Sequence, residues 1–398
     1  MSPRLLELHF SQLAKAWNKS QYNNYSDNNK KLYHNKLGDL YRLLKTEDFS
    51  RFSQQEIMER YDVINMIFKS LEFLDSSTLN LLPFEIVTCL DCALRDWLQG
   101  DEELIIVSSL VNDINNYSFD ESLATNEQLF KYVELQYGVK FASRLIQINL
   151  PATLSRDYLA NVVLYHELGH FIDTKYQISR AIHDEILEKL FVKRKITPEE
   201  EKELADYFPF LENYLALEPY YNNQGEIKVL RYYLAEYFCD LFASQYIKTC
   251  SSHYLQYLTQ AYASQHSNSH PSTKKRVELT EKFLSGDDST FTLSKIKEAV
   301  NKTTAGKSLS VKFEEKKSND FIKLVPIDIE NDSQLHYLFV HGWDLWLNNW
   351  HLFEEQNEMK FKLDREKVYD IVNSLIEKSI GNYVVKTNWD KAKANVSK

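Results

Sequence analysis

Apolar residues recur at three- and four-residue spacing over long stretches of this chain, and glycine and proline rarely interrupt them. The pattern predicts a protein built mainly of α-helices. Residues 1 to about 120 read as helical, broken by the Asn/Tyr/Lys-rich stretch 21–31 and by turns near Asp75–Ser77 and Gly100–Asp101. Two segments leave the helical period. Residues 104–111 read as a short strand, and Arg144–Leu150, which alternates and carries two isoleucines, is the better strand candidate. Pro151 ends it, and Ser155 is placed to cap the helix that follows.

That helix carries the most specific pattern in the chain. After the mostly apolar run Tyr158–Tyr165 come His166, Glu167, Leu168, Gly169 and His170. Residues four apart lie on one helix face, so both imidazoles can reach one metal ion. Glu167 then stands beside the metal, placed to take a proton from a zinc-bound water. A catalytic zinc needs a third protein ligand and an open position. A histidine six residues after His170 with a glycine midway is excluded, because those places hold Tyr176 and Asp173. The alternative is a glutamate from a later helix. Residues 229–247 form an apolar run without Gly or Pro, long enough for about four to five helical turns. Glu236 and Asp240 interrupt it on one face. Two buried carboxylates are costly unless partnered. A metal ion partners Glu236, and the second N–H of a ligand histidine partners Asp240. Glu218 and Glu226 are the other carboxylates within reach along the chain.

The interval between His170 and Glu236 is 236 − 170 − 1 = 65 residues. It predicts a helical insert over 177–228. Residues 181–192 are amphipathic, and Thr197-Pro198-Glu199-Glu200 is a capping box with proline at the first helical position. Pro209, Pro219 and Gly225 break the chain before the second helix. Lying between ligands, the insert is either a lid on the cleft or a surface decoration. The polar stretch Tyr262–Ser269 reads as an unconstrained loop delivering His270 and Pro271 to another helix, with Arg276 following. Past residue 290 a Lys/Thr/Ser-rich span leads to a C-terminal helix with Trp343, Trp346 and Trp350 at i, i+3 and i+7. These tryptophans make a core face or a surface for a regulatory protein partner.

Composition narrows the class. Nine Gly and eight Pro in 398 residues favour long helices. A net charge of −10 with interspersed signs argues against a nucleic-acid binder. No apolar run approaches the ~18 residues of a membrane span, and the N-terminus does not read as a secretory signal, so a cytoplasmic protein is expected. Cys89 and Cys92 form a lone CxxC, and with Cys239 and Cys250 they read as buried thiols.

The order His166-Glu167-x-x-His170, Glu236-x-x-x-Asp240, then His270-Pro271 with Arg276-Val277 resembles the gluzincin metallopeptidases, and among them the HtpX and CAAX prenyl protease family. The resemblance covers roughly residues 140–285. It departs from familiar members in the absence of apparent transmembrane segments and in the long interval after His170. It implies a zincin-like peptidase core with a small β element over 121–290, flanked by helical regions 1–120 and 291–398. It also implies zinc on His166, His170 and Glu236, Glu167 as the general base, and His270 and Arg276 at the cleft. The oxyanion donor would be His270, Arg276 or a tyrosine such as Tyr233 or Tyr237. His270 has a rival role as a direct metal ligand that keeps the enzyme latent. Strand 144–150 would pair with substrate by edge addition. A free-amine-reading Gly-x-Met-Glu-Asn sequence is lacking, so the expected activity is zinc-dependent endoproteolysis of a protein or peptide substrate. The alternatives are a catalytically weak metal-binding sensor or interaction module, and a helical protein without metal.

Overall fold

The computed structural model describes residues 2–25, 27–76, 84–99, 103–113, 117–193, 195–211, 224–259, 265–357 and 363–396. The protein is mostly helical with one small sheet, as the periodicity predicts. It divides into two compact units, residues 1–87 with 98–155, and 88–97 with 156–398.

In the first unit, α1 (Pro3–Ser20), α2 (Asn28–Lys45) and α3 (Gln54–Ser76) precede α4 (Phe84–Arg95), whose last turns group with the second unit. Ser2 caps α1 through Leu5 N–H, with Pro3 in the first turn, and Asp27 caps α2. Then follow β1 (Glu103–Val111), β2 (Ser118–Asp120), α5 (Ser122–Thr125), α6 (Glu127–Tyr137) and β3 (Ser143–Pro151). The core joins Leu37, Ile64 and Ile67 of the helices to Val107 and Leu145 of the sheet.

Both expected strands are present, but their arrangement narrows one expectation. The strand order is β1-β3-β2, so β3 is the central strand. It runs parallel to β1 from Glu103↔Ser143 to Val111↔Pro151, and antiparallel to β2 over residues 147–149. Over 147–149 both sides of β3 are paired, which leaves no free edge for a substrate backbone. Edge addition is thereby excluded over 147–149, whereas over 144–146 the strand pairs, among the described residues, with β1 alone. The same pairing ties residues 121–155 to the N-terminal helices, whereas the sequence reading put them with the metal motif.

In the second unit, α7 (Val163–Tyr176), α8 (Ile178–Leu187) and α9 (Pro198–Tyr207) lead to α10 (Gln224–Ile247). After it come α11 (Cys250–Thr259), α12 (Thr273–Ser285), α13 (Phe291–Thr303), α14 (Asp332–Leu347), α15 (Leu352–Asn357) and α16 (Arg365–Val396). From Tyr233 to Ile247 α10 is buried almost all round, and α7, α8, α11, α12 and α14 pack on it. The C-terminal helices thus belong to the same compact unit as the metal motif.

α7 starts later than expected and is not capped by Ser155. Residues 158–162 form irregular turns, and Asp157 receives Ala160 N–H on its side chain and Asn161 N–H on its carbonyl. Tyr369 of α16 donates to both Asp157 oxygens. The capping box at Thr197 forms as predicted, Thr197 and Glu200 satisfying each other's backbone N–H. Of the insert, α8 buries Ile178, Ile182 and Ile186 against α10 and α13, a packing role. Residues 212–223, including Pro219 and Glu218, lie outside the described part. Trp343 is buried and donates its indole N–H to the Leu159 carbonyl, as a core residue does, whereas Trp346 and Trp350 are half-buried. All four cysteines are buried and none is in a disulfide. Among the described residues no helix is long and apolar enough to cross a membrane.

Candidate metal centre

Three elements of the second unit bring the predicted residues together. α7 presents His166, Glu167 and His170, α10 presents Glu236 and Asp240, and α12 presents Arg276, with His270 in the loop before it. The meeting of α7 and α10 depends on Gly169. A Cβ there would stand 2.9 Å from Cys239 Cα, 3.0 Å from its Cβ and 3.2 Å from its Sγ. The helices lie too close for any side chain at 169, and this closeness lets the rings reach the carboxylates. A glycine inside a helical pattern costs about 1 kcal/mol relative to alanine, so it signals a packing reason that sequence reading passed over.

Glu236 faces both histidines. Its Oε2 is 3.4 Å from His166 Nε2 and its Oε1 is 3.4 Å from His170 Nε2. These separations are long for hydrogen bonds. The two distances run to different Glu236 oxygens, and each is near the edge, about 3.3 Å, of a tetrahedron whose centre is ~2.05 Å from its donors. Oε2 is buried and makes no hydrogen bond, and its charge is met by the Arg276 guanidinium beside it. On the far side, His166 Nδ1 meets Asp240 Oδ1 at 2.9 Å. Asp240 is gripped in turn by Arg276, Nε to Oδ2 at 2.7 Å and one terminal nitrogen to Oδ1 at 2.8 Å. The other terminal nitrogen stands 3.2 Å from Glu236 Oε2. Arg276 thus orients the two carboxylates from behind, buried and engaged away from the oxyanion-donor place that the sequence offered it.

Cys239 is a second candidate donor that the sequence reading left as an ordinary buried thiol. Its Sγ and a ring nitrogen from each of His166 and His170 lie within 4.8 Å of one another. A thiol must lose its proton to bind a cation well. Burial, and then the carboxylates of Glu236, Asp173, Asp240 and Glu167, push the Cys239 thiol well above its ordinary range. Glu236 needs no such change. Burial opposes its ionisation, but Arg276, His166 and His170 outweigh that and hold it well below the usual carboxylate range.

Asp173 is taken up by Ser179, and with the other three carboxylates ionised and both histidines neutral, Glu167, Glu236 and Asp240 against Arg276 give −3 + 1 = −2. One divalent cation balances that charge. Burial disfavours a charged His166, but the hydrogen bond to Asp240 and the nearby Glu236 carboxylate prevail and raise its pKa to about 10. Glu167 is pushed up by burial, against the opposing pull of His166 and His170. The back of the site is closed, since His166, Glu236, Asp240 and Arg276 are all buried. Its front is open, the side chains of His170 and His270 being 35% and 57% exposed.

His270 sits at that front, Nε2 at 3.6 Å from Glu236 Oε1. Its loop is not unconstrained over the described residues 265–270. Tyr233 donates its hydroxyl to the Ser267 carbonyl at 2.7 Å, and Ser267 N–H donates to the His270 carbonyl at 2.9 Å. This engages the first candidate tyrosine. The second, Tyr237, is buried and donates to the Tyr207 carbonyl at 3.0 Å. Both hydroxyls are thus engaged by backbone carbonyls, which counts against either tyrosine as an oxyanion donor. Comparison with protein-family models, with curated proteins and with solved structures finds no match for this chain.

Proposed function

We propose that the protein is a zinc-dependent endopeptidase with a gluzincin arrangement in a zincin-like core. The observation that carries the reading is the convergence of His166, His170 and Glu236, each ring nitrogen 3.4 Å from a Glu236 oxygen, beside Glu167. Those three residues would hold the ion. When bound, zinc supplies Lewis acidity that polarises the scissile carbonyl and acidifies water. Glu167, on the same helix face region as both histidines, takes the proton from the attacking water and delivers it to the leaving amine. Asp240 accepts from His166 Nδ1, which leaves Nε2 as the metal-binding nitrogen. Arg276 fixes Asp240 and offsets the buried negative charge. Substrate enters at the open front, between His170 and His270. Its protein or peptide nature is what the family resemblance implies.

The test is metal analysis of the purified protein with a fluorescence-dequenching assay on an unfolded protein substrate. One zinc per chain is expected, with cleavage that Glu167→Gln abolishes while metal content stays the same. Glu236→Gln should cut zinc affinity more than Cys239→Ala. Bound zinc with no cleavage by the wild type would favour a metal-binding interaction module. No zinc, and none taken up on titration, would overturn the reading.

A further inference from the structure

We infer that the last turn of α9 staples α10 to α12, and that Tyr207 is a positioning residue acting through Arg276 on the metal centre. The effect on metal binding rests on the zinc-peptidase reading. The staple itself rests on hydrogen bonds among the three helices. Residues 198–211 of the insert are on this account neither a lid nor a surface decoration.

Tyr207 is buried and bonds to a helix on either side. Its carbonyl accepts the Tyr237 hydroxyl at 3.0 Å, and its own hydroxyl donates to Glu278 Oε1 at 3.1 Å. On α10, Tyr237 follows Glu236 directly and stands one turn before Asp240. On α12, Glu278 lies just past Arg276. Because Arg276 grips Asp240, these contacts close a circuit that runs from Tyr207 to α10, across to α12 and back. Neighbouring groups reinforce it. Asp206 takes Lys275 Nζ at 2.5 Å, and Lys275 reaches Glu278 Oε2 at 2.9 Å. The Tyr207 ring meets the Tyr237 ring edge-on at 5.7 Å, and buried Phe208 packs on both Tyr233 and Tyr237. Glu203 accepts the N–H groups of Phe291 and Thr292, each at 2.8 Å, so α9 is also held on α13.

A guanidinium is a rigid fork, and it bonds a carboxylate with two nitrogens at one relative height only. Apolar packing of α12 on α10 is non-directional and does not set that height. The directional bonds of Tyr207 fix the slide of one helix along the other. Asp240, oriented by Arg276, in turn orients His166.

The experiment follows the Arg276 Nε–H signal by NMR in zinc-free protein, the signal being identified by its loss in Arg276→Lys. In the wild type this proton is buried and bonded to Asp240, and it should exchange slowly with solvent. Tyr207→Phe removes only the hydroxyl and should speed that exchange roughly tenfold, the worth of one hydrogen bond to a charged group. Glu278→Gln keeps an oxygen for the hydroxyl and should stay close to the wild type. Thr197→Ala breaks the cap at the other end of α9 and controls for general loosening; it should leave the signal unaltered. In a chelator competition titration Tyr207→Phe should bind zinc roughly tenfold more weakly, the lower end for groups acting behind a ligand. The inference is overturned by a wild-type Nε–H that exchanges at once, or by a signal that Tyr207→Phe leaves unchanged or that Thr197→Ala moves as far. Zinc bound equally well by Tyr207→Phe and the wild type overturns it too. A wild type that takes up no zinc, but shows the expected response of the Arg276 signal, would sink the peptidase reading and leave the staple standing.

Discussion

Replacing Gly169 with alanine tests how the two metal-bearing helices meet. Two opposing effects can be weighed. Alanine in a helix interior is favoured over glycine by about 0.8–1.0 kcal/mol. At position 169 the new methyl would lie 2.9 Å from Cys239 Cα, a backbone atom that no rotamer change can remove. Carbon atoms settle at ~3.5 Å or more, so the helices must part by roughly 0.6 Å. Overpacking of this kind costs ~1–3 kcal/mol, toward the upper end where backbone must move. The net expectation is a loss of about 2 kcal/mol. Gly381, inside α16, is the control: a Cβ there meets nothing within 4 Å. Gly381→Ala should therefore stabilise by about 0.8–1.0 kcal/mol. Two glycine-to-alanine changes in helices thus differ by about 3 kcal/mol in opposite directions, readable by chemical denaturation. Hydrogen exchange in α7 and α10 should accelerate only in Gly169→Ala. Parting the helices also stretches the His–Glu236 separations toward ~4 Å, beyond a common tetrahedral site, so zinc affinity should fall with stability. Adding Cys239→Ala should not rescue, since the two nearest contacts are Cα and Cβ. A Gly169→Ala protein as stable as Gly381→Ala, with unaltered exchange in both helices, would refute the reasoning.

Other outcomes follow from the same site and from its surroundings. Asp240→Ala should weaken zinc binding by ~10–100-fold with helix content retained, because His166 loses its orienting acceptor; a chelator competition titration measures it. Arg276→Ala strands two buried carboxylates and should destabilise the zinc-free protein by ~3–5 kcal/mol, with part of the loss recovered on adding zinc. Equal losses with and without zinc would mean that the cation and the guanidinium do not share those carboxylates. Elsewhere, burial lowers the His336 pKa to about 4, Asp96 and Asp332 opposing only in part, and Tyr165 bonds its Nδ1 at 2.7 Å. A histidine depressed in the fold contributes stability that is complete above its unfolded value, about 6.5, and is lost as pH falls toward 4. Over that window His336 should account for about 3 kcal/mol of acid destabilisation. Stability measured against pH should show a shallower acid limb in His336→Gln.

Part of this molecule is legible without coordinates. Periodicity alone places the helices, because an amphipathic or apolar run free of Gly and Pro has few other ways to satisfy its backbone. The capping box at Thr197 is local chemistry and forms as written. His166, Glu167 and His170 are fixed relative to one another by the helix itself, and Glu236 and Asp240 by theirs. Where a helix starts was less legible. Asp157 and not Ser155 organises the entry to α7, since Tyr369, more than two hundred residues away, holds that carboxylate in place.

What tertiary structure alone decided is everything that depends on which surfaces meet. Alternation identifies 144–150 as a strand but carries no information about its neighbours, so only pairing with β1 and β2 shows it to be central. Tyr233 and Tyr237 sit on the same helix as Glu236, yet their hydroxyls are engaged by carbonyls from other parts of the chain. Arg276 and Asp240 are 36 residues apart, and no spacing rule predicts a bidentate grip between them. Gly169 and Cys239 are the clearest case. Each is unremarkable in its own helix, and their contact exists only because two helices approach more closely than any other side chain at 169 would allow. Sequence dictates the periodic placement of groups within an element, since that is set by backbone geometry over a few residues. The distances between elements are set by the packing of whole faces, and in this protein those distances turn two separate helix motifs into one candidate site.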